Sequence, residues 1–65
     1  MRYVISEGLK EVRHAYTGEY AMAIKNQMLA QASGPVELAM YRPRQDGFGW
    51  VHVKTYTWTP DSYTK

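Results

Sequence analysis

Residues 35–58 alternate apolar and polar side chains on both sides of an Asp46-Gly47 pair. The first run reads Pro35-Val-Glu-Leu-Ala-Met-Tyr-Arg and the second Trp50-Val-His-Val-Lys-Thr-Tyr-Thr-Trp. Alternation is the period of a strand, and Asp-Gly between two such runs marks a hairpin. The whole chain has only 65 residues, so whatever remains must cover one face of that hairpin if it is to have a core.

Register decides which side chains share a face. With Asp46-Gly47 as a two-residue primed turn, Gln45 pairs with Phe48 and Met40 with Val53. Val36, Leu38 and Met40 then lie with Val51, Val53 and Thr55. The second face carries Tyr41, Trp50, His52, Lys54, Tyr56 and Trp58, with Arg42 and Arg44 beside the turn. A slip of one residue exchanges the two sets, placing both tryptophans in the core and the valines outside.

The N-terminal half supplies the cover. Tyr3, Val4 and Ile5 favour extended structure, giving a strand over 2–6. Ser6 is placed to cap a helix, Glu7 suits its first turn, and Leu9, Val12 and Tyr16 recur at i, i+3 and i+7. That spacing predicts a helix over 9–16. The rival reading makes 9–17 a strand paired with 2–6 through a Glu7-Gly8 turn. Thr17 is the N-cap of a second helical stretch, 19–33, with Glu19 in its first turn. Tyr20, Ala21, Ile24, Met28 and Ala32 form its apolar stripe, flanked by Met22 and Leu29, while Glu19, Asn26 and Gln27 lie opposite. Gly34 suits a left-handed residue after the helix, and Pro35 stops it. One helix from 7 to 33 would run about 40 Å, so a break is expected near Gly18.

These elements predict an α+β fold. Its three-stranded antiparallel-type sheet takes strands 2–6, 36–42 and 50–58 in the order strand–helix–strand–strand. Helical structure over 9–33 packs on one face. Residues 1–59 form a single small domain and 60–65 a polar tail, with Pro60 ending the last strand.

Composition narrows the function. With no cysteine there is no disulfide, thiol nucleophile or thiolate metal site, which fits a reducing compartment. No apolar run nears the ~20 residues that span a bilayer, and the N-terminus lacks a signal peptide's apolar core. The expectation is a cytoplasmic protein with no membrane role. His14 and His52 stand in no hydrolase or zinc-protease pattern, and Gly47-Phe48-Gly49 lacks the Lys and helix of a phosphate loop. Neither an enzyme nor a metal or organic cofactor is expected.

Six Tyr, two Trp and one Phe are more rings than a core this small encloses, since such a domain buries only about 60% of its unfolded surface. Tyr, Trp and Arg are common anchors of binding surfaces. The expected site is therefore Tyr41, Arg42, Arg44, Trp50, His52, Lys54, Tyr56 and Trp58, acting in a non-catalytic module that docks on a protein or nucleoprotein complex. The alternative is single-stranded nucleic acid, with bases on the rings and phosphates on the cations. A net charge of +2 puts the protein partner ahead. A sheet edge is also able to pair with a partner or a second copy. Size, missing catalytic residues and element order suit a small phage or mobile-element accessory protein that blocks a host complex, a class that includes anti-CRISPR inhibitors. No motif in these residues carries that last expectation.

Overall fold

The structure, a computed structural model, describes residues 1–60; the tail expected over 60–65 lies, apart from Pro60, outside the described residues. The element order is β1 (Arg2–Glu7), β2 (Glu11–Ala15), α1 (Gly18–Gln31), β3 (Val36–Pro43) and β4 (Trp50–Trp58). The class is α+β, as the alternation and helical stripe imply, but the sheet has four strands rather than three. Its order is β2-β1-β3-β4, with every neighbouring pair antiparallel.

The extra strand replaces the helix expected over 9–16. Gly8 adopts φ +55, and Lys10 N–H donates to the Glu7 carbonyl at 3.0 Å, so the chain reverses and β2 returns along β1. The spacing of Leu9, Val12 and Tyr16 is not a buried stripe: all three are exposed, Leu9 completely. Inward positions are instead held by half-buried Arg13 and fully buried Ala15, alternating as in a strand. Arg13 also donates to Gln27 Oε1 at 3.5 Å, tying β2 to the helix.

Helix α1 begins where Thr17 predicts. Thr17 Oγ1 accepts from Tyr20 N–H at 3.2 Å, satisfying one of the free first-turn donors. Ala21, Ile24, Met28 and, beyond the last turn, Ala32 are buried against the sheet, whereas Tyr20 and Met22 are exposed. The helix stops at Gln31; Ala32 is extended, with its N–H donating to the Leu29 carbonyl at 3.4 Å. Gly34 has no positive φ, so the left-handed cap expected there does not form, and Pro35 alone blocks continuation.

The core lies between α1 and the inner face of β1, β2 and β3. It joins Ile5, Ala15, Val36 and Leu38 to the buried helix residues, with Tyr3, Leu29, Met40 and Trp58 packed at its margin. Ile5 and Val36 are its largest fully enclosed side chains, each stabilising the fold by roughly 1.5–3 kcal/mol. Among the described residues no element covers the opposite face of the sheet.

The β3–β4 hairpin contains both registers the sequence allowed. Near the turn Tyr41 faces His52, Arg42 faces Val51 and Pro43 faces Trp50, as a centre at Asp46-Gly47 requires. From Met40 onward the pairing is slipped by one: Met40 with Lys54, Leu38 with Tyr56, Val36 with Trp58. Val53 has no partner and forms a bulge between the halves. The turn itself is longer than a two-residue primed turn. Arg44 N–H donates to the Gly49 carbonyl at 3.2 Å and Gly47 N–H to the Arg44 carbonyl at 3.0 Å. Gly47 and Gly49 take positive φ, but Asp46 does not, which excludes a type I′ turn centred on Asp46-Gly47. Asp46 instead accepts from Phe48 N–H at 2.9 Å and pairs with Arg44 at 3.1 Å.

Candidate functional site

The bulge divides the expected aromatic and basic ladder between two faces. Lys54, Tyr56 and Trp58 oppose Met40, Leu38 and Val36 and so share the helix side. Tyr41, His52 and Trp50 belong to the uncovered side, since Tyr41 opposes His52 and Pro43 opposes Trp50. Arg42 pairs with Val51 near the turn, and Arg44 is held by Asp46 in the turn.

On the helix side, β4 runs as an edge that α1 only partly overlaps. Trp58 is the junction. Lys25, on α1, is buried and lays its Nζ 4.5 Å from the Trp58 ring centre while donating to Asn26 Oδ1 at 2.7 Å. A cation over an indole face is stabilising by about 0.5–2 kcal/mol, more when water is excluded. Tyr56 stacks on Trp58 with centroids 6.1 Å apart and planes at 27°. Lys54 Nζ lies 4.9 Å from the Tyr56 ring. Cation, indole, phenol and cation thus alternate along one line.

Beside that line is a cleft of about 310 Å³. Tyr56 and Trp58 form one side, Leu38 and Met40 the floor, and Tyr3, Ala21 and Met22 the other side. The helix start lies close to Tyr3: a Cβ added at Gly18 would sit 3.6 Å from the Tyr3 hydroxyl, an ordinary contact. The lining is almost wholly apolar, so the cleft suits an apolar or aromatic group rather than a charged one. Tyr3, Met22 and Met40 were not among the residues expected to bind. The alternation Tyr3-Val4-Ile5 could have placed Tyr3 beside Ile5, and Met22 was visible at the margin of the helix stripe.

The uncovered side carries a second group. Arg2 Nη2 donates to His14 Nδ1 at 3.2 Å, and the Arg2 guanidinium lies 5.9 Å from the Trp50 ring centre. Its Nε is buried without a partner. Tyr41 meets His52 edge-on rather than stacked, centroids 5.4 Å apart at 64°, a ring contact made by direct cross-strand pairing. His52 Nε2 and Thr55 Oγ1 share a hydrogen bond of 2.7 Å. A hydroxyl bonded to an imidazole is a nucleophile–base pair, but among the described residues no carboxylate bonds to His52 to orient it. Nor do any three His, Asp or Glu side chains there gather to hold a metal ion. Among the described residues no helix is long and apolar enough to cross a membrane.

Comparison with protein-family models, with curated proteins and with solved structures finds no match to this chain.

Proposed function

We propose that this chain is a non-catalytic binding module that docks on a protein or nucleoprotein partner through the helix-side cleft. The observation that carries this reading is the cleft itself: an apolar hollow beside an exposed edge strand, walled by Tyr56 and Trp58. Half-exposed aromatic rings around a dry hollow are how binding surfaces seat an apolar anchor from a partner. For so small a chain, a phage- or mobile-element-type inhibitor docking on a host complex is one form of the same reading.

Capture from host lysate tests it. Met22→Asp places a charge in the cleft wall at an exposed helix position, and Tyr56→Ala removes the other wall. Both are expected to abolish capture while circular dichroism stays native. Capture undiminished by both variants would overturn the docking site.

Binding of single-stranded nucleic acid is favoured by a different observation, the Arg2, His14, Tyr41, Trp50 and His52 group on the uncovered side. Its rings are met edge-on or covered by Arg2, which leaves fewer free faces for bases than a continuous ladder would offer. This reading requires oligonucleotide binding at about 50 mM salt that collapses toward 200 mM. Absence of binding at the lower salt removes it.

A further inference from the structure

We propose that β4 is a self-pairing edge: two copies join by an antiparallel β4–β4 ladder over Lys54, Thr55, Tyr56, Thr57 and Trp58, with the two-fold axis at Tyr56. Among the described residues the sheet has two edges with no neighbouring strand, β2 and β4, and they differ. β2 is short and reads Glu11-Val-Arg-His-Ala, with charges that discourage pairing. β4 has nine residues, rich in aromatic and β-branched side chains, and Trp50, Val53 and Tyr56 are exposed. A small domain whose largest fully buried side chains are Ile5 and Val36 has apolar surface left to cover.

The bulge and the sequence fix the register. Val53 interrupts the ladder, so the regular part of the edge starts at Lys54 and ends at Trp58. That segment is nearly palindromic about Tyr56. Around a two-fold axis there, Tyr56 faces the partner's Tyr56, and Thr55 faces the partner's Thr57. Lys54 faces the partner's Trp58. Each is a favourable cross-strand pair: ring with ring, hydroxyl with hydroxyl, cation with indole. An axis at Lys54 would instead set two ammonium groups opposite each other.

The pairing is closed. An isologous contact uses β4 of both copies and leaves, among the described residues, the two short, charged β2 edges. The sheet becomes eight-stranded with both helices on one side, because a two-fold axis normal to the sheet preserves its faces. Tyr56 and Trp58 of both copies then floor a trough between the helices, and the apolar cleft of each copy opens into it.

Solution mass and site-directed crosslinking test this on the full chain. Light scattering is expected to give twice the chain mass at high micromolar concentration, falling toward the chain mass on dilution. The chain has no cysteine, so single substitutions report cleanly. Tyr56→Cys is expected to form a disulfide-linked dimer under mild oxidation, since directly opposed Cβ atoms lie about 4.5–5.5 Å apart. Lys54→Cys alone is expected not to, its two copies being offset by about 13 Å at ~3.3 Å per residue. Mixed with Trp58→Cys, it should crosslink. Thr55→Lys with Thr57→Lys, both on the uncovered face, should weaken the dimer at least tenfold, and Thr55→Lys with Thr57→Glu should restore it. A chain mass at every concentration from micromolar to millimolar overturns the proposal. So does equal crosslinking at positions 54, 56 and 58.

Discussion

Lys25 and Trp58 show how one contact can join elements that the rest of the packing leaves apart. The helix covers β1, β2 and β3, and the edge strand meets it through the ammonium group lying on the indole. Lys25→Ala removes both the cation and the aliphatic stem beneath it. Stability is expected to fall by about 1–2 kcal/mol, read as a lower urea midpoint, with Trp58 emission moving to the red. The two tryptophans should also differ in solution. Trp50 is exposed and Trp58 half-buried, so iodide should quench one population strongly and the other weakly. The sequence posed this as a choice, both rings outside or both in the core, because alternation assumes one register throughout a strand. Lys25 could not be placed from sequence at all: a lysine at a buried helix position gives no sign of the ring that accepts it. The cap was legible, since Thr17 stands just ahead of an acidic first-turn residue, Glu19, and of the apolar stripe that begins at Tyr20. Thr17→Ala should cost about 1 kcal/mol in chemical denaturation.

At the scale of elements, the hairpin and α1 could be read directly and β2 could not. Leu9, Val12 and Tyr16 fit a helical period, but the same stretch carries Arg13 and Ala15 at alternate positions. Over so few residues the two periods coexist, and the tie is broken by tertiary demand. β1 lies between β2 and β3, and without β2 its outer backbone groups would lack partners beside the helix. Gly8 makes the reversal cheap, because φ +55 is open to glycine and strained for other residues. Gly8→Val is expected to lower stability by about 1–2 kcal/mol and to accelerate amide exchange in β2 ahead of the helix. Equal exchange rates in both elements would place the turn's contribution elsewhere. The candidate site was half legible for the same reason. Tyr56, Trp58 and Lys54 were identified, but Tyr3 and Met22 reach the cleft only through the packing of β1 and α1.

The described residues span 45 × 17 × 17 Å, an elongated body whose helix and core lie toward one end while the hairpin turn projects from the other. A body of this shape keeps much of its surface in water, so its stability is modest and sensitive to association. If β4 pairs with itself, the melting temperature should rise with protein concentration; a melting temperature independent of concentration would mean that folding and pairing are not linked. The unpaired Val53 has one more effect, on how the gene tolerates changes of length. Removing a residue from a strand ordinarily turns every following side chain to the opposite face. Here β4 is one residue longer than its partner needs, and losing Val53 would bring His52 and Lys54 into direct succession opposite Tyr41 and Met40. Both halves would keep their faces and the fold would survive. The edge would then be regular along its full length and free to pair in registers other than the one centred on Tyr56, so crosslinking through Lys54→Cys alone is expected to appear in such a protein and not in the parent. The spare residue is thus a slack link: the fold does not require it, and the register in which two edges meet depends on it.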